Sequence, residues 1–215
     1  MPRIFGALNV LMAEFLVARR LALRGEQMHA ESGGRQHPDD PGLYTDTLDG
    51  SSYGEAPALL LLAQRSALDV LDKIAVTANE HFASGLPPSR VEYSNYWKDP
   101  KSRQTRPQLE PGQDGLRFLL ALAELATDLG DGGMYPSARL LRNAGTHRLV
   151  HATDGEPTGP TRDTFSTVNM RELQTATPEA LQVVRAAYLY LIDLIDSQLA
   201  DASQTASVCS LPNQK

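Results

Sequence analysis

Apolar residues recur every three to four positions through most of the chain, a period that predicts helices rather than strands. In the first such stretch Ile4, Leu8, Leu11, Met12, Phe15 and Leu16 fall on one side, predicting an amphipathic helix over residues 3–24 that stops at Gly25. Residues 25–54 are rich in Gly, Pro, Asp and Ser and read as an exposed loop. A second helix is predicted from Glu55 to Ala83, its buried side marked by Leu59, Leu62, Ala63, Leu71, Ile74 and Ala75. On another side Arg65, Asp69 and Lys73 stand at i, i+4 spacing, a surface ion row worth about 0.2–0.5 kcal/mol per pair.

Residues 84–114 break the period with Pro87, Pro88, Pro100, Pro107 and Pro111 and read as a second long loop. A third helix is predicted over 115–129 from Leu116, Leu119, Leu120, Leu122, Ala123 and Leu125, ended by the Gly130–Gly133 cluster. A fourth begins near Pro136 and runs to about Thr153. Residues 154–176 form another loop, with Thr164 to Val168 a candidate extended piece. The last helix is predicted to start after Thr177 as N-cap, with Pro178 at the first helical position and Val183, Val184, Ala187, Tyr188, Leu191, Leu194, Ile195 and Leu199 along its buried side. The fold class is therefore all-α: about five helices with long inserted loops, in a single domain over 1–200 whose core is 55–200, followed by a disordered tail over 201–215.

Composition narrows the function. The 215 residues carry a formal charge of −6, which argues against sequence-blind DNA binding through a broad cationic surface. One cysteine, Cys209, excludes an intramolecular disulfide and a Cys-rich zinc site, and fits a cytoplasmic protein. No uninterrupted run of about 18 apolar residues occurs, so no membrane span is expected. Asn9, Glu14 and Arg19-Arg20 interrupt or follow the first apolar stretch, unlike a signal peptide.

Within this acidic chain no Asp or Glu occurs between Asp131 and Asp154, while the same interval holds Arg139, Arg142, His147, Arg148 and His151. Such a positive patch, with an imidazole that can exchange protons near neutral pH, suits phosphate chemistry. On a helix, positions five apart are rotated by roughly 140° and separated by about 7.5 Å along the axis, so Arg142 must swing its long stem to reach the side of His147. Asn143 and His147 share a face at i, i+4 and can orient one another.

RNA cleavage without metal needs a base for the 2′-hydroxyl, an acid for the leaving 5′-oxygen, and a donor for the non-bridging oxygens. His147 can fill a proton-transfer role and the Arg142 guanidinium the charge-stabilising one. One His cannot serve both proton roles at once, so the chemistry suggests a composite site across a homodimer. Tyr93, Tyr96 and Trp97 interleave with Lys98, Lys101, Arg103 and Arg106. Aromatic rings among cations can hold unpaired bases, although Trp97 more simply anchors its loop on the core. The cations, with Arg139 and Arg148, are candidate RNA contacts.

Arg142-Asn143 followed by three residues and His147 resembles the Arg-x4-6-His signature of the HEPN superfamily of helical domains. The helix from Ala63 to Ala75, with its Asp69-x-x-Asp72-Lys73, and the later Trp97 extend the likeness to a prokaryotic branch often found behind helical repeats, over roughly 45–200. The resemblance implies a HEPN-like helical bundle and a metal-independent endoribonuclease, commonly a toxin or antiviral abortive-infection effector, active as a homodimer and requiring no cofactor. It matches Arg142 and His147 to the catalytic pair and Asn143 to the polar residue after the Arg. An antitoxin or sensor protein is the further partner such a role implies. Relatives that accept nucleotide transfer carry a Tyr two residues after the His; here that position is Leu149. The alternative is a HEPN-type module that binds nucleotides or proteins without cleaving RNA. A zinc site through His147, His151 and Asp154 is the remaining rival, resting on i, i+4 spacing alone.

Overall fold

The computed structural model describes residues 3–32, 51–52, 54–99, 102, 104–106, 109, 113–130, 132–135, 149–153 and 165–209. Helix α1 (Arg3–Ser32) and helix α2 (Glu55–His81) form an antiparallel pair. Three ion pairs mark their register: Arg3 with Glu80 at 3.7 Å, Lys73 with Glu14 at 2.6 Å, and Arg24 with Glu55 at 2.9 Å. Lys73 thus reaches across to α1 as well as standing in the predicted row along α2.

A 3₁₀ turn (Pro88–Arg90) and the single-turn helix α3 (Tyr93–Tyr96) follow, then helix α4 (Gln113–Asp128). Strands β2 (Leu149–Thr153) and β3 (Phe165–Asn169) run parallel, and the two-residue β1 (Ser51–Ser52) lies antiparallel on the other edge of β2. The chain ends its described part in the 40-residue helix α5 (Met170–Cys209). The long helices form an all-α bundle, with α5 packed on α2, α4 and α1. The three-stranded sheet is a small addition at one end, seated on Leu60 of α2 and on Met170, Leu173 and Ala176 of α5. Among the described residues no helix is long and apolar enough to cross a membrane.

Several boundaries differ from those the period predicts. Helix α1 does not stop at Gly25 but continues to Ser32, so the predicted 25–54 loop is helical at its start and extended at 51–52. Gly25 has a packing role instead: a Cβ there would stand 2.9 Å from Leu60 Cγ and 3.1 Å from the Ala56 carbonyl oxygen. Replacing Gly25 by Ala gains up to about 1 kcal/mol of helix propensity but forces α1 and α2 apart, an overpacking cost of about 1–3 kcal/mol. The expected outcome is net destabilisation, read as a lower denaturant midpoint with an unchanged slope.

The fourth predicted helix cannot reach Thr153, because Leu149–Thr153 is strand β2, hydrogen-bonded to two neighbours. Its earlier part, 136–148, lies outside the described residues. The expected extended piece at 164–168 corresponds to β3 (Phe165–Asn169).

Helix α5 starts at Met170, before Thr177. Asn169 does the capping work there, its Oδ1 accepting the Arg171 N–H at 2.8 Å. Thr177 is fully buried inside the helix, and its hydroxyl donates back to the Leu173 carbonyl at 2.7 Å. Pro178 lies in the helix interior, and the helix runs on to Cys209, past the composition change near Ala200.

Helix phases also needed the structure. Leu60, rather than Leu62, is the buried leucine of the Leu59–Leu62 run, and Leu62 is exposed beside the Arg65–Asp69–Lys73 row. On α4, Leu119, Leu122 and Ala123 are buried while Leu116 and Leu120 are exposed.

Candidate functional site

The proposed catalytic residues Arg142, Asn143 and His147, and the flanking Arg139 and Arg148, lie outside the described residues, as do Lys101 and Arg103. What the structure describes is the frame on either side of them. Upstream, α4 ends in a glycine turn: Gly130 N–H donates to the Thr127 carbonyl, Gly133 N–H to Gly130, and Tyr135 N–H to Asp128 at 3.0 Å. Two positions there require glycine. Gly132 has a φ of +78°, and a Cβ on Gly133 would come 2.2 Å from the Asp128 oxygen. Tyr135 then packs on the main core.

Downstream, the segment enters β2. Leu149 pairs with Phe165, Val150 with Ser166 and His151 with Thr167. Val150 and Ala152 pack on the Leu60 cluster. The described residues on either side are held by core packing after α4 and by a strand paired on both edges. Because His151 belongs to a strand, the helical i, i+4 argument that linked it to His147 as zinc ligands no longer applies. Among the described residues no group of three or more His, Cys, Asp or Glu is placed to hold a metal ion.

The aromatic and cationic loop after α2 turns inward. Trp97 is 1% exposed and packs edge-on against Tyr93 and Tyr96, with ring centroids 5.5 and 4.9 Å away. The Tyr93 hydroxyl donates to the Leu122 carbonyl at 3.3 Å, and the Tyr93 N–H donates to Asp72 Oδ1 at 2.9 Å. The Tyr96 hydroxyl pairs with Ser84 Oγ at 2.9 Å. These three rings are core, as expected for Trp97, and are closed to base stacking.

Of the four cations between positions 98 and 106, two are described and both hold protein groups. Lys98 Nζ donates to Thr127 Oγ1 at 3.0 Å and stands 3.6 Å from Glu124 Oε1, tying the loop to α4. Arg106 donates through Nε to the Tyr96 carbonyl at 2.6 Å and through a terminal nitrogen to Asn95. Between them the chain closes a tight turn, with Asp99 N–H on the Gln104 carbonyl at 2.8 Å and Arg106 N–H on the Trp97 carbonyl. Sequence reasoning missed the role of Asp72, which fixes the start of α3. Its only signal is membership of the Asp-x-x-Asp-Lys run.

Burial raises the Tyr96 hydroxyl to about 12, partly opposed by its bond to Ser84 and by the Arg106 charge, and burial raises Tyr93 further in the same direction. An unfolded tyrosine ionises near 10. Both groups stay protonated in the fold while the unfolded chain releases its protons, so their stabilisation is complete below about pH 10 and falls as pH rises toward 12. In an alkaline titration these two tyrosinates should form together with loss of helical circular dichroism; ionisation of all seven tyrosines with the helices intact would contradict the burial.

A separate cleft of about 390 Å³ opens at the far end of the bundle, lined by residues including Ile4, Phe5, Thr77, His81 and Leu199. His81 Nε2 lies 2.8 Å from Gln198 Oε1 there. The cleft is about 30 Å along α2 from the sheet and shares no residue with the candidate constellation.

No curated protein and no solved structure matches the chain. A family model does, the LA2681-like HEPN model, over residues 1–198. That match takes in α1 as well as the bundle, the sheet and the whole Arg142–His147 interval, and on it the chain belongs to the LA2681-like HEPN family.

Proposed function

We propose that this protein is a metal-independent endoribonuclease of the HEPN type, acting as a toxin or abortive-infection effector. The observation that carries the reading is the Arg142-Asn143-x3-His147 signature in an interval free of Asp and Glu, in a chain of this family. The reaction is transesterification. The 2′-oxygen bonds to phosphorus, the bond to the 5′-oxygen breaks, one proton leaves the 2′-hydroxyl and one joins the departing oxygen.

His147 of one protomer takes or gives a proton, and the His147 of a second copy supplies the complementary step. Arg142 donates to the non-bridging oxygens as negative charge grows on them, and Asn143 orients the imidazole. Arg139, Arg148, Lys101 and Arg103 guide the phosphate backbone. Lys98, engaged by Thr127 and Glu124, reaches RNA only by leaving those partners. No cofactor enters this chemistry, and an antitoxin or sensor protein would restrain the activity in a cell.

The test uses the full chain, generic single-stranded RNA and a chelator. Cleavage should persist without divalent metal, leave 2′,3′-cyclic phosphate ends, and vanish on the matching strand with 2′-deoxyribose at every position. Loss of activity on chelation, or equal cutting of the deoxy strand, would rule out this mechanism. Tight binding of RNA or nucleotide with no cleavage would instead identify a binding module.

A further inference from the structure

Residues 4–18 of α1 include one charged side chain, Glu14, and are followed directly by Arg19-Arg20. The bundle uses only one side of this apolar stretch. Leu11, Ala18 and Ala22 are buried, and Ile4, Leu8 and Phe15 pack on the core. Phe5, Val10, Met12, Leu16, Val17 and Leu23 face outward, between 37% and 60% exposed, and Ala13 is exposed with them. At about 100° per residue these seven lie within an arc of roughly 160°, centred opposite Leu11 and Ala18. A helix that is apolar on every side has something to cover each side.

Charge identifies what covers this one. The chain carries a formal charge of −6, yet α1 exposes no Asp or Glu before Glu31. Glu14 is held by Lys73 of α2, and Glu26 accepts from Gln174 of α5. Arg3 and Arg24 are turned to Glu80 and Glu55. Arg19 and Arg20 are exposed and have no ion pair among the described residues. The outward face is thus apolar and cationic, and its complement is apolar and anionic. A second copy does not supply that complement, because its own face brings the same arginines and no acid.

We propose that α1 docks on the surface of an anionic lipid bilayer. The helix lies in the plane of the headgroups, with Phe5, Met12, Leu16 and Leu23 at the acyl boundary and Arg19 and Arg20 on lipid phosphates. The strip from Phe5 to Leu23 is about 27 Å long and runs along the membrane, not through it. Its width favours a bilayer over a single partner helix, which would cover one narrow row and leave Val10 and Val17 in water. Long arginine stems let the two guanidinium groups reach phosphate while the helix axis sinks below them. The docking uses no residue between 136 and 148, so it stands or falls apart from the ribonuclease reading.

The experiment is flotation of the full chain with vesicles, with circular dichroism to confirm the fold of each variant. The protein should float with vesicles of equal parts phosphatidylglycerol and phosphatidylcholine, but not with phosphatidylcholine alone, and added salt should release it. Replacing both Arg19 and Arg20 by Gln should weaken binding about 25-fold, about fivefold for each charge removed. Leu16→Glu should weaken it about tenfold or more.

A second arm reads insertion directly. Trp97, the one tryptophan, is buried in the core, so its emission should stay constant. In Leu16→Trp the introduced indole should emit as a water-exposed ring without lipid and shift to the blue on the anionic vesicles. This arm decides the question even if Leu16→Glu fails to fold. Failure to float with the anionic vesicles, binding indifferent to Leu16→Glu, or no blue shift on them would each overturn the proposal. Emission already blue without lipid would assign the face to a second copy and overturn it too.

Discussion

Replacing His147 by Ala is expected to lower the RNA cleavage rate by about 10²–10⁴-fold, the range that a positioned general acid or base contributes. In transition-state terms that is about 3–5 kcal/mol. Arg142→Ala should give a loss of comparable size, since it removes a charge-stabilising donor. Arg142→Lys should recover little of it, because an ammonium lacks the planar fork of donors. The two losses should not add in a double variant if the residues act as one unit in the same step.

Both substitutions fall in sequence between the glycine turn after α4 and strand β2. The check is single-turnover cleavage beside a melting curve. Cleavage by His147→Ala at the wild-type rate would end the ribonuclease assignment of this residue. Retained RNA binding with cleavage lost would separate chemistry from affinity. Mixing excess His147→Ala with wild type tests the composite site, because each heterodimer then holds a single His147. Heterodimers without activity support a site that needs both imidazoles, and activity in proportion to the wild-type copies present counts against it.

The helices were legible because their apolar residues keep one period over many turns, as in Val183 to Ile195 of α5, where the predicted face is the buried one. Boundaries failed wherever a long-range contact overrode a local signal. Gly25 reads as a stop, but its missing Cβ is what lets Leu60 approach, a fact carried by residue 60 and not by its neighbours. Thr177-Pro178 reads as a helix start, yet Asn169 caps the helix two turns earlier; the Asn169-x-x-Glu172 spacing was the available sign. Strand β2 has only five residues, too few to separate a strand period from a helical one, and it exists by pairing with segments about 100 residues before it and about 16 after it.

Cations posed a different problem. Lys98 and Arg106 look no different in sequence from Lys101 and Arg103, and only their contacts reveal that they secure the loop. The candidate constellation, by contrast, is read from residue type and spacing alone, since residues 136–148 lie outside the described residues. The buried side of α1 was half legible: Leu11 is buried, while Met12 and Leu16 are exposed. Met12 and Leu16 stood out as apolar, but which side of the helix they serve depends on where α2 lies.

Trp97→Ala is expected to cost about 3–5 kcal/mol, the usual range for truncating a fully buried large aromatic side chain. For a domain whose net stability is about 5–15 kcal/mol this is at least a fifth of the total, enough to lower the melting temperature by several degrees. Two effects compete in setting the value. The indole fills the space between Tyr93, Tyr96 and the core, and each edge-on ring contact adds about 0.5–1.5 kcal/mol beyond burial. Against this, Trp97 Nε1 is buried without a hydrogen-bond partner among the described residues, a penalty of about 1–3 kcal/mol already present in the wild type.

Trp97→Phe removes that donor while keeping an aromatic ring in the same place, so its loss should be clearly smaller than that of Trp97→Ala, under about 2 kcal/mol. The order of midpoints in denaturant, wild type, then Phe, then Ala, is the expected result. A cost below 1 kcal/mol for Ala would mean that the rings do not secure the loop, and that the turn closed by Arg106 and Asp99 stands alone. Equal costs for Phe and Ala would contradict the assignment of the stabilisation to ring packing.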